Sequence, residues 1–203
     1  MSNTGIIYHP DYLKHDTGFS HPESPDRLTA IMDRLRDTGL LNELTVIEPT
    51  PAREEEVLLI HSKTQFENVK NAWNEGDYSL TPDTPISVDS FRVALLAVGG
   101  ILTGIDRIMA GEIRNGMALV RPPGHHATPD QAMGFCLFNN VAIGARYLQN
   151  THGIKKVLIV DWDLHHGNGT QEAFYYDPSV LYFSTHQYPH YPGSGSFHET
   201  GEG

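Results

Sequence analysis

The hydrophobic residues fall into short apolar runs and longer stretches with helical spacing, and the two kinds of segment alternate along the chain. The apolar runs predict strands at residues 4–8, 44–48, 117–121, 156–161 and 180–184. Helical spacing predicts helices from the segment HPESPDRL to Gly39, and at residues 62–75, 89–110, 139–150 and 169–176. Because the apolar runs are continuous, both faces of the strands should be buried. This predicts an α/β fold, with a mainly parallel sheet flanked by helices on both faces.

Length and composition narrow the class of protein. The 203 residues predict a single domain over residues 1–203, and the glycine-rich end HETGEG indicates that this domain is incomplete. A formal charge of −11 argues against direct binding of nucleic acid. The chain has no apolar run of about 20 residues and no signal peptide, so no membrane contact is expected. The single cysteine, Cys136, fits a reducing compartment, and we expect a cytoplasmic protein.

The number of histidines, twelve, is the unusual feature of the composition. Four of them form two HH pairs, and each pair follows a predicted strand. In VDWDLHHGNGT (160–170), an extended chain would point Asp161, Asp163 and His165 to one side. Two carboxylates and an imidazole suit a divalent cation such as zinc. The alternative is a helix start in which Asp163 is a cap and the histidines are incidental. In RPPGHHA (121–127), His125 and His126 could be metal ligands, surface residues or acid–base groups.

Two further segments are rich in glycine and aromatic residues. They are MGFCLFNN (133–140), which contains Phe135, and FSTHQYPHYPGSG (183–195), which contains Tyr191. These rings would ordinarily be assigned to core or loop packing. On loops beside a metal cluster, however, they could form the walls of a narrow pocket.

Taken with HPESPDRL, these four segments resemble the histone deacetylase family, most closely its class II branch and the bacterial deacetylase-like amidohydrolases. The resemblance implies the arginase/deacetylase α/β sandwich and a catalytic zinc with Asp163 and His165 as two of its protein ligands. It implies that His125 and His126 are the tandem active-site histidines. Asp161 then matches the carboxylate that orients His125, and Asn168 matches the partner of His126.

The resemblance also implies a substrate tunnel and a second cation. Gly134 and Phe135 match one tunnel wall, and Tyr191 matches the opposite aromatic residue. A structural potassium site is implied at five positions: Asp161, Asp163, His165, Ser184 and Thr185. The family's third zinc ligand and its carbonyl-polarising tyrosine are expected beyond residue 203, so the catalytic domain is predicted to be truncated.

The function that the resemblance implies is zinc-dependent hydrolysis of an N-acetyl amide on a long aliphatic amine, with release of acetate. The substrate would be an acetylated lysine peptide or an acetylpolyamine. His126 would act as the base, and His125 would give electrostatic support. Two alternatives stay open: an arginase-like ureohydrolase with two manganese ions, and a non-catalytic module that binds acetylated ligands. The sequence leaves the physiological substrate and the oligomeric state undetermined.

Overall fold

The computed structural model describes residues 4–202, in which helices and parallel strands alternate along the chain. The strands are β1 (Thr4–Ile7), β2 (Thr45–Ile47), β3 (Ser79–Thr81), β4 (Thr84–Pro85), β5 (Asn115–Ala118), β6 (Val157–Asp161) and β7 (Val180–Ser184). The helices are α1 (Asp26–Asp37), α2 (Glu54–Val57), α3 (Lys63–Glu75), α4 (Ser90–Met109), α5 (Asn140–His152) and α6 (Asn168–Phe174). Short 3-10 helices occupy Pro10–Lys14 and Leu40–Glu43.

The strands form two separate parallel sheets and one small hairpin. In the first sheet the order is β2-β1-β5, and in the second β6 pairs with β7. Asp161 and Ser184 are register partners at the carboxyl end of β6 and β7. Within residues 4–202, β5 and β6 are not hydrogen-bonded to each other. The parallel arrangement with flanking helices agrees with the predicted fold class.

The core is built around α4, the longest and most apolar helix. One cluster joins α4 to α3 and α5, with Phe66, Val98 and Ile143 almost fully buried. A second cluster joins α4 to α1 and β1 through Leu28 and Leu96. Burial of these side chains contributes roughly 1.5–3 kcal/mol each, which is the main stabilisation of the frame that carries the site.

Helix boundaries follow from capping chemistry. The Ser62 side chain accepts the backbone N–H of Gln65 at the start of α3, and the Asn139 side chain accepts that of Ala142 at the start of α5. Such caps satisfy backbone donors that have no partner within the helix. Capping at Asn139 also matters for the site, because α5 directly follows the loop that contains Phe135.

Three predictions of the sequence analysis are corrected here. The strand predicted at 117–121 is observed at Asn115–Ala118. No strand is predicted between residues 48 and 117, whereas β3 and β4 form an antiparallel hairpin there. The strands are also not buried on both faces throughout. In the β6–β7 sheet one face is exposed, and it carries Leu158, Val160, Leu181 and Phe183.

Because this face is exposed, a continuous apolar run does not show that both faces of a strand are buried. Leu158 is 60% and Leu181 is 66% exposed, although both lie in runs typical of a fully covered parallel strand. No helix within residues 4–202 is long and apolar enough to cross a membrane.

Candidate active site

A cleft of about 460 Å³ opens where the loops after β5, β6 and β7 meet the turn of the β3–β4 hairpin. Its lining combines imidazoles, carboxylates and aromatic rings: Pro22, Glu23, Arg27, Asp83, Pro123, His125, His126, Gly134, Phe135, Asp163, His165 and Tyr191. Clefts beyond the carboxyl ends of parallel strands are the usual ligand sites of α/β folds. Most of the residues predicted for the site therefore line one cavity.

The segment after β6 turns rather than continuing as a strand. Asp161 Oδ1 accepts the backbone N–H of Asp163 at 3.1 Å, and Asp163 Oδ1 accepts that of His165 at 2.7 Å. Each is a side-chain-to-backbone bond two residues along the chain, the pattern that produces tight turns. The prediction of an extended segment was wrong, but the turns bring the same side chains together. The alternative with Asp163 as a helix cap is also wrong, because α6 is preceded by Gly167.

His125 is oriented by the carboxylate at the end of β6. Its Nδ1–H donates to Asp161 Oδ2 at 2.9 Å, which leaves Nε2 3.9 Å from Asp163 Oδ1. The Tyr182 hydroxyl also donates to Asp161 Oδ2, at 3.0 Å, and accepts the backbone N–H of Gly167 at 3.1 Å. Burial opposes ionisation of Asp161, but the bonds from His125 and Tyr182 outweigh it and lower the pKa of this carboxyl.

His126 has a neutral partner, and this partner determines its tautomer. The Asn168 amide nitrogen faces the His126 carbonyl and the Met133 sulfur, both at 3.4 Å, so Oδ1 faces the ring. His126 Nδ1–H must therefore donate to Asn168 Oδ1, at 2.8 Å, and Nε2 is left as an acceptor. Burial, reinforced by the neighbouring His125 ring, lowers the pKa of His126 to about 4. At neutral pH this imidazole is uncharged and able to take a proton.

The two histidines stand beside the Asp163–His165 pair. The ring centroids of His125 and His126 are 4.1 Å apart, and those of His126 and His165 are 5.9 Å apart. The loops after β5 and β6 thus bring four groups from two sequence segments close together.

The aromatic side chains border these rings. Tyr191 meets His126 edge to face, with 5.0 Å between ring centroids. Gly134 has a φ of +57°, and a Cβ at this position would collide with the His126 ring, so only glycine lets the loop approach so closely. Phe135 follows on the cleft wall.

Comparison with known proteins relates this arrangement of residues to a protein family. A family model described as the histone deacetylase domain matches residues 21–203. The chain belongs to the histone deacetylase family. The resemblance stated from the motifs is thereby confirmed, together with the fold class.

Similar proteins come from several kingdoms. A "Probable deacetylase" of Archaeoglobus fulgidus is 42% identical over 202 residues, which cover 98% of this chain and 56% of that protein. Histone deacetylase 9 of Homo sapiens is 41% identical, and the match covers 100% of this chain and 23% of that protein. The crystal structure of the HDA15 HD domain superposes with a TM-score of 0.93 at 40% identity, over 98% of this chain and 58% of that one. The chain thus spans about half of the Archaeoglobus protein, and less of the human one.

Two donor groups of the site have a spacing that would suit a metal ion. His165 Nδ1 and Asp163 Oδ1 are 3.1 Å apart, and neighbouring ligand atoms on a tetrahedral zinc are separated by about 3.3 Å. The donor types and their spacing fit two positions of such a site. Within the described residues 4–202, no third histidine, cysteine or carboxylate completes a metal-binding group. Among these residues the structure therefore offers two candidate ligands, Asp163 and His165, and their role as zinc ligands stays a prediction.

The residues predicted for potassium lie next to the same turn. The backbone N–H of Thr185 donates to the Asp161 carbonyl at 3.0 Å, and Ser184 is the register partner of Asp161. The Ser184 hydroxyl is bonded to His186 Nδ1 at 2.8 Å. All five residues are neighbours, but a bound potassium stays a prediction.

Several residues that hold the site together were not predicted from the sequence. Asp83, Glu23, Arg121 and Tyr182 were not selected as site residues. Tyr182 lies two positions before Ser184 on β7 and so shares the face of the sheet that carries Asp161. That relation could be found only with the β6–β7 register in hand.

Proposed function

We propose that this chain carries the substrate-binding and proton-transfer residues of a zinc-dependent hydrolase. Its substrate would carry an acetyl group on a long aliphatic amine, as in an acetylated lysine peptide or an acetylpolyamine. Membership of the histone deacetylase family supports the reaction class. The observation that carries the proposal is the placement of a neutral His126, with Nε2 free, beside the Asp163–His165 donor pair.

The proposed reaction consumes one water molecule. The water oxygen attacks the acetyl carbon, the bond between carbon and nitrogen breaks, and acetate and the free amine are released. His126 Nε2 accepts the proton of the attacking water and then donates a proton to the amine nitrogen. Because the Asn168 amide is uncharged, it orients His126 without stabilising the protonated ring as a carboxylate would.

The neighbouring groups prepare this proton transfer. His125 is held by a carboxylate, and its Nε2 faces Asp163, so it supports charge that develops beside His126. Asp163 and His165 would hold the zinc, which when bound supplies Lewis-acid polarisation of the acetyl carbonyl. The same proposal includes the structural potassium beside Asp161.

The cleft suits a substrate with a thin apolar stem. Phe135 and Tyr191 line it as aromatic surfaces, and the Tyr191 ring contacts the His126 imidazole. Such walls bind a polymethylene chain and exclude water from the reacting amide.

The proposal is tested by acetate release from an acetyl-lysine peptide, with the zinc-loaded chain and with any longer protein that contains it. We expect His126→Ala to lower kcat by at least about 100-fold, since general acid–base catalysis contributes that much. His198→Ala, which changes an exposed histidine, is the matched control and should keep full activity. Equal activity of the two variants would contradict the role of His126.

A second candidate is a non-catalytic module that binds acetylated ligands, favoured by the absence of a third metal ligand among residues 4–202. It predicts saturable binding of the acetyl-lysine peptide without release of acetate, in every protein that contains the chain. Acetate release in the same assay would exclude it.

A further inference from the structure

The carboxylate of Asp83 is bonded to both walls of the cleft. Asp83 lies in the turn between β3 and β4. Its Oδ2 accepts a hydrogen bond from the Tyr191 hydroxyl at 2.9 Å, and its Oδ1 accepts the backbone N–H of Gly134 at 3.3 Å. Gly134 and Tyr191 belong to two different segments that line the site. One side chain therefore connects the walls.

The hairpin turn is arranged to hold this carboxylate in place. The hydroxyls of Thr81 and Thr84 each donate to Asp83 Oδ1 at 2.8 Å. The buried Thr84 hydroxyl also accepts the backbone N–H of Phe135 at 3.2 Å. Burial opposes ionisation, but the hydrogen bonds from Thr81, Thr84 and Tyr191 keep the pKa of Asp83 below its usual value. The turn is thus bonded to two consecutive residues of the opposite wall.

Tyr191 depends on this bond for its position. Tyr191 is 38% exposed, and its ring makes edge-to-face contacts with His126 and His165, with centroids 5.0 Å and 6.1 Å apart. Edge contacts alone leave an exposed ring free to swing, whereas a charge-assisted hydrogen bond fixes it. A shift of this ring changes the space directly above His126.

We propose that the hydrogen bond between Asp83 and Tyr191, the Asp83–Tyr191 bridge, sets the width of the cleft and thereby the size of the acyl group that the site accepts. Both residues are positioning residues: they act through the distance between the walls, and neither takes part in the proton transfer. This inference rests on the proposed function for its substrate, but the bridge itself can be measured without turnover.

The first measurement is hydrogen exchange of backbone amides, followed by mass spectrometry. Tyr191→Phe removes only the hydroxyl, and we expect faster exchange in residues 186–195. Asp83→Ala should accelerate exchange in residues 133–136 as well, because Gly134 loses its acceptor. Asp83→Asn keeps an acceptor oxygen and should stay closer to the wild type. Tyr188→Phe, at an exposed tyrosine of the same loop, is the matched control and should change neither segment.

The second measurement compares acetyl-lysine and butyryl-lysine peptides. For Tyr191→Phe we expect KM for the acetyl peptide to rise about fivefold, the value of one hydrogen bond, with kcat changed less than twofold. The kcat/KM ratio of butyryl to acetyl peptide should rise several-fold, and Tyr188→Phe should leave it unchanged.

The two measurements separate the failure of the inference from the failure of the proposed function. Wild-type exchange rates in Tyr191→Phe would overturn the bridge, whatever the activity. Faster exchange together with an unaltered acyl preference would overturn its role in selectivity. If the wild type and every variant hydrolyse no acyl-lysine peptide, the proposed function fails, and the exchange rates alone decide whether the bridge holds the loop.

Discussion

Glu23 and Arg121 form a buried, two-point ion pair that joins segments 98 residues apart. Arg121 Nε donates to Glu23 Oε1 at 2.6 Å, and Nη2 donates to Oε2 at 2.8 Å. Two further guanidinium hydrogens, one on Nη1 and one on Nη2, are donated to the carbonyls of Tyr12 and His15, and Arg121 has no exposed surface. The pair fixes the start of the turn that ends in His125 and His126.

Removing one charge of this pair should destabilise the folded protein. We expect Glu23→Gln to lower the free energy of unfolding by about 3–5 kcal/mol, because it leaves the Arg121 charge buried without a counter-charge. The exposed Asp33–Arg36 pair is the control, and Asp33→Asn should cost less than about 1 kcal/mol. Urea denaturation measures both values. A loss for Glu23→Gln as small as that of the control would show that the buried pair does not stabilise the fold.

The role of Gly134 can be tested by comparison with Gly111. Both glycines have a positive φ, but Gly111 has open space around it. Only at Gly134 would a Cβ meet the His126 ring. Gly111→Ala should cost about 1 kcal/mol, from backbone strain alone. Gly134→Ala should cost more and also lower kcat/KM at least about tenfold, because it displaces His126. Equal stability losses with unchanged turnover would show that the loop at Gly134 adjusts without displacing the His126 ring.

The Tyr182 hydroxyl should matter for activity although it does not reach the cleft. Tyr182→Phe removes the donor to Asp161, and with it one support of the His125 orientation. We expect kcat to fall by roughly 3- to 10-fold, the effect of one hydrogen bond, with KM unchanged. Steady-state kinetics on the acetyl-lysine peptide provide the measurement. Tyr176→Phe, at an exposed tyrosine, is the control. A change in KM alone would instead point to a role in substrate binding.

Buried histidines should make the fold sensitive to acid. Burial lowers the pKa of His15 and of His61 to about 4 in the folded protein, against 6.5 when they are free. Between these values the unfolded chain binds protons that the folded chain does not, so the stability present above pH 6.5 is lost as the pH falls towards 4. Each residue should lower the free energy of unfolding by about 1 kcal/mol between pH 7 and pH 5.5.

The contribution of one histidine can be isolated by substitution. His61 Nε2 accepts the backbone N–H of Asn139, and His61→Gln keeps an acceptor at this place while removing the titration. Urea denaturation at the two pH values should show a pH-dependent loss about 1 kcal/mol smaller than in the wild type. The exposed His198→Gln should not alter that loss. An unchanged loss in His61→Gln would show that this histidine does not titrate with folding.

Local patterns in the sequence were sufficient to predict most helices and strands, and also the central site residues. The apolar stretch predicted as a helix at 89–110 is observed at Ser90–Met109, and the strand predicted at 180–184 is observed at Val180–Ser184. The HH pairs were selected because each lies within a few residues of a predicted strand, although β5 itself already ends at Ala118. In these cases the signal and the structure lie in the same short segment.

Relations between distant segments could not be predicted in the same way. The partners Asp83 and Tyr191 are 108 residues apart, and nothing near Asp83 in the sequence marks it as part of a cleft. The turns at Asp161 and Asp163 were missed because an alternating pattern fits both an extended chain and successive turns. The exposed face of β6 and β7 was missed because apolar residues do not reveal what covers them.

The most direct test of the central claim is an anomalous difference map at the zinc edge, from crystals of the protein grown with zinc and an acetyl-lysine peptide. The account predicts one peak at about 2.0–2.2 Å from Asp163 and His165, with the acetyl group between that peak and His126 Nε2. A zinc peak away from Asp163 and His165, or an acetyl group bound outside the cleft lined by Phe135 and Tyr191, would contradict it.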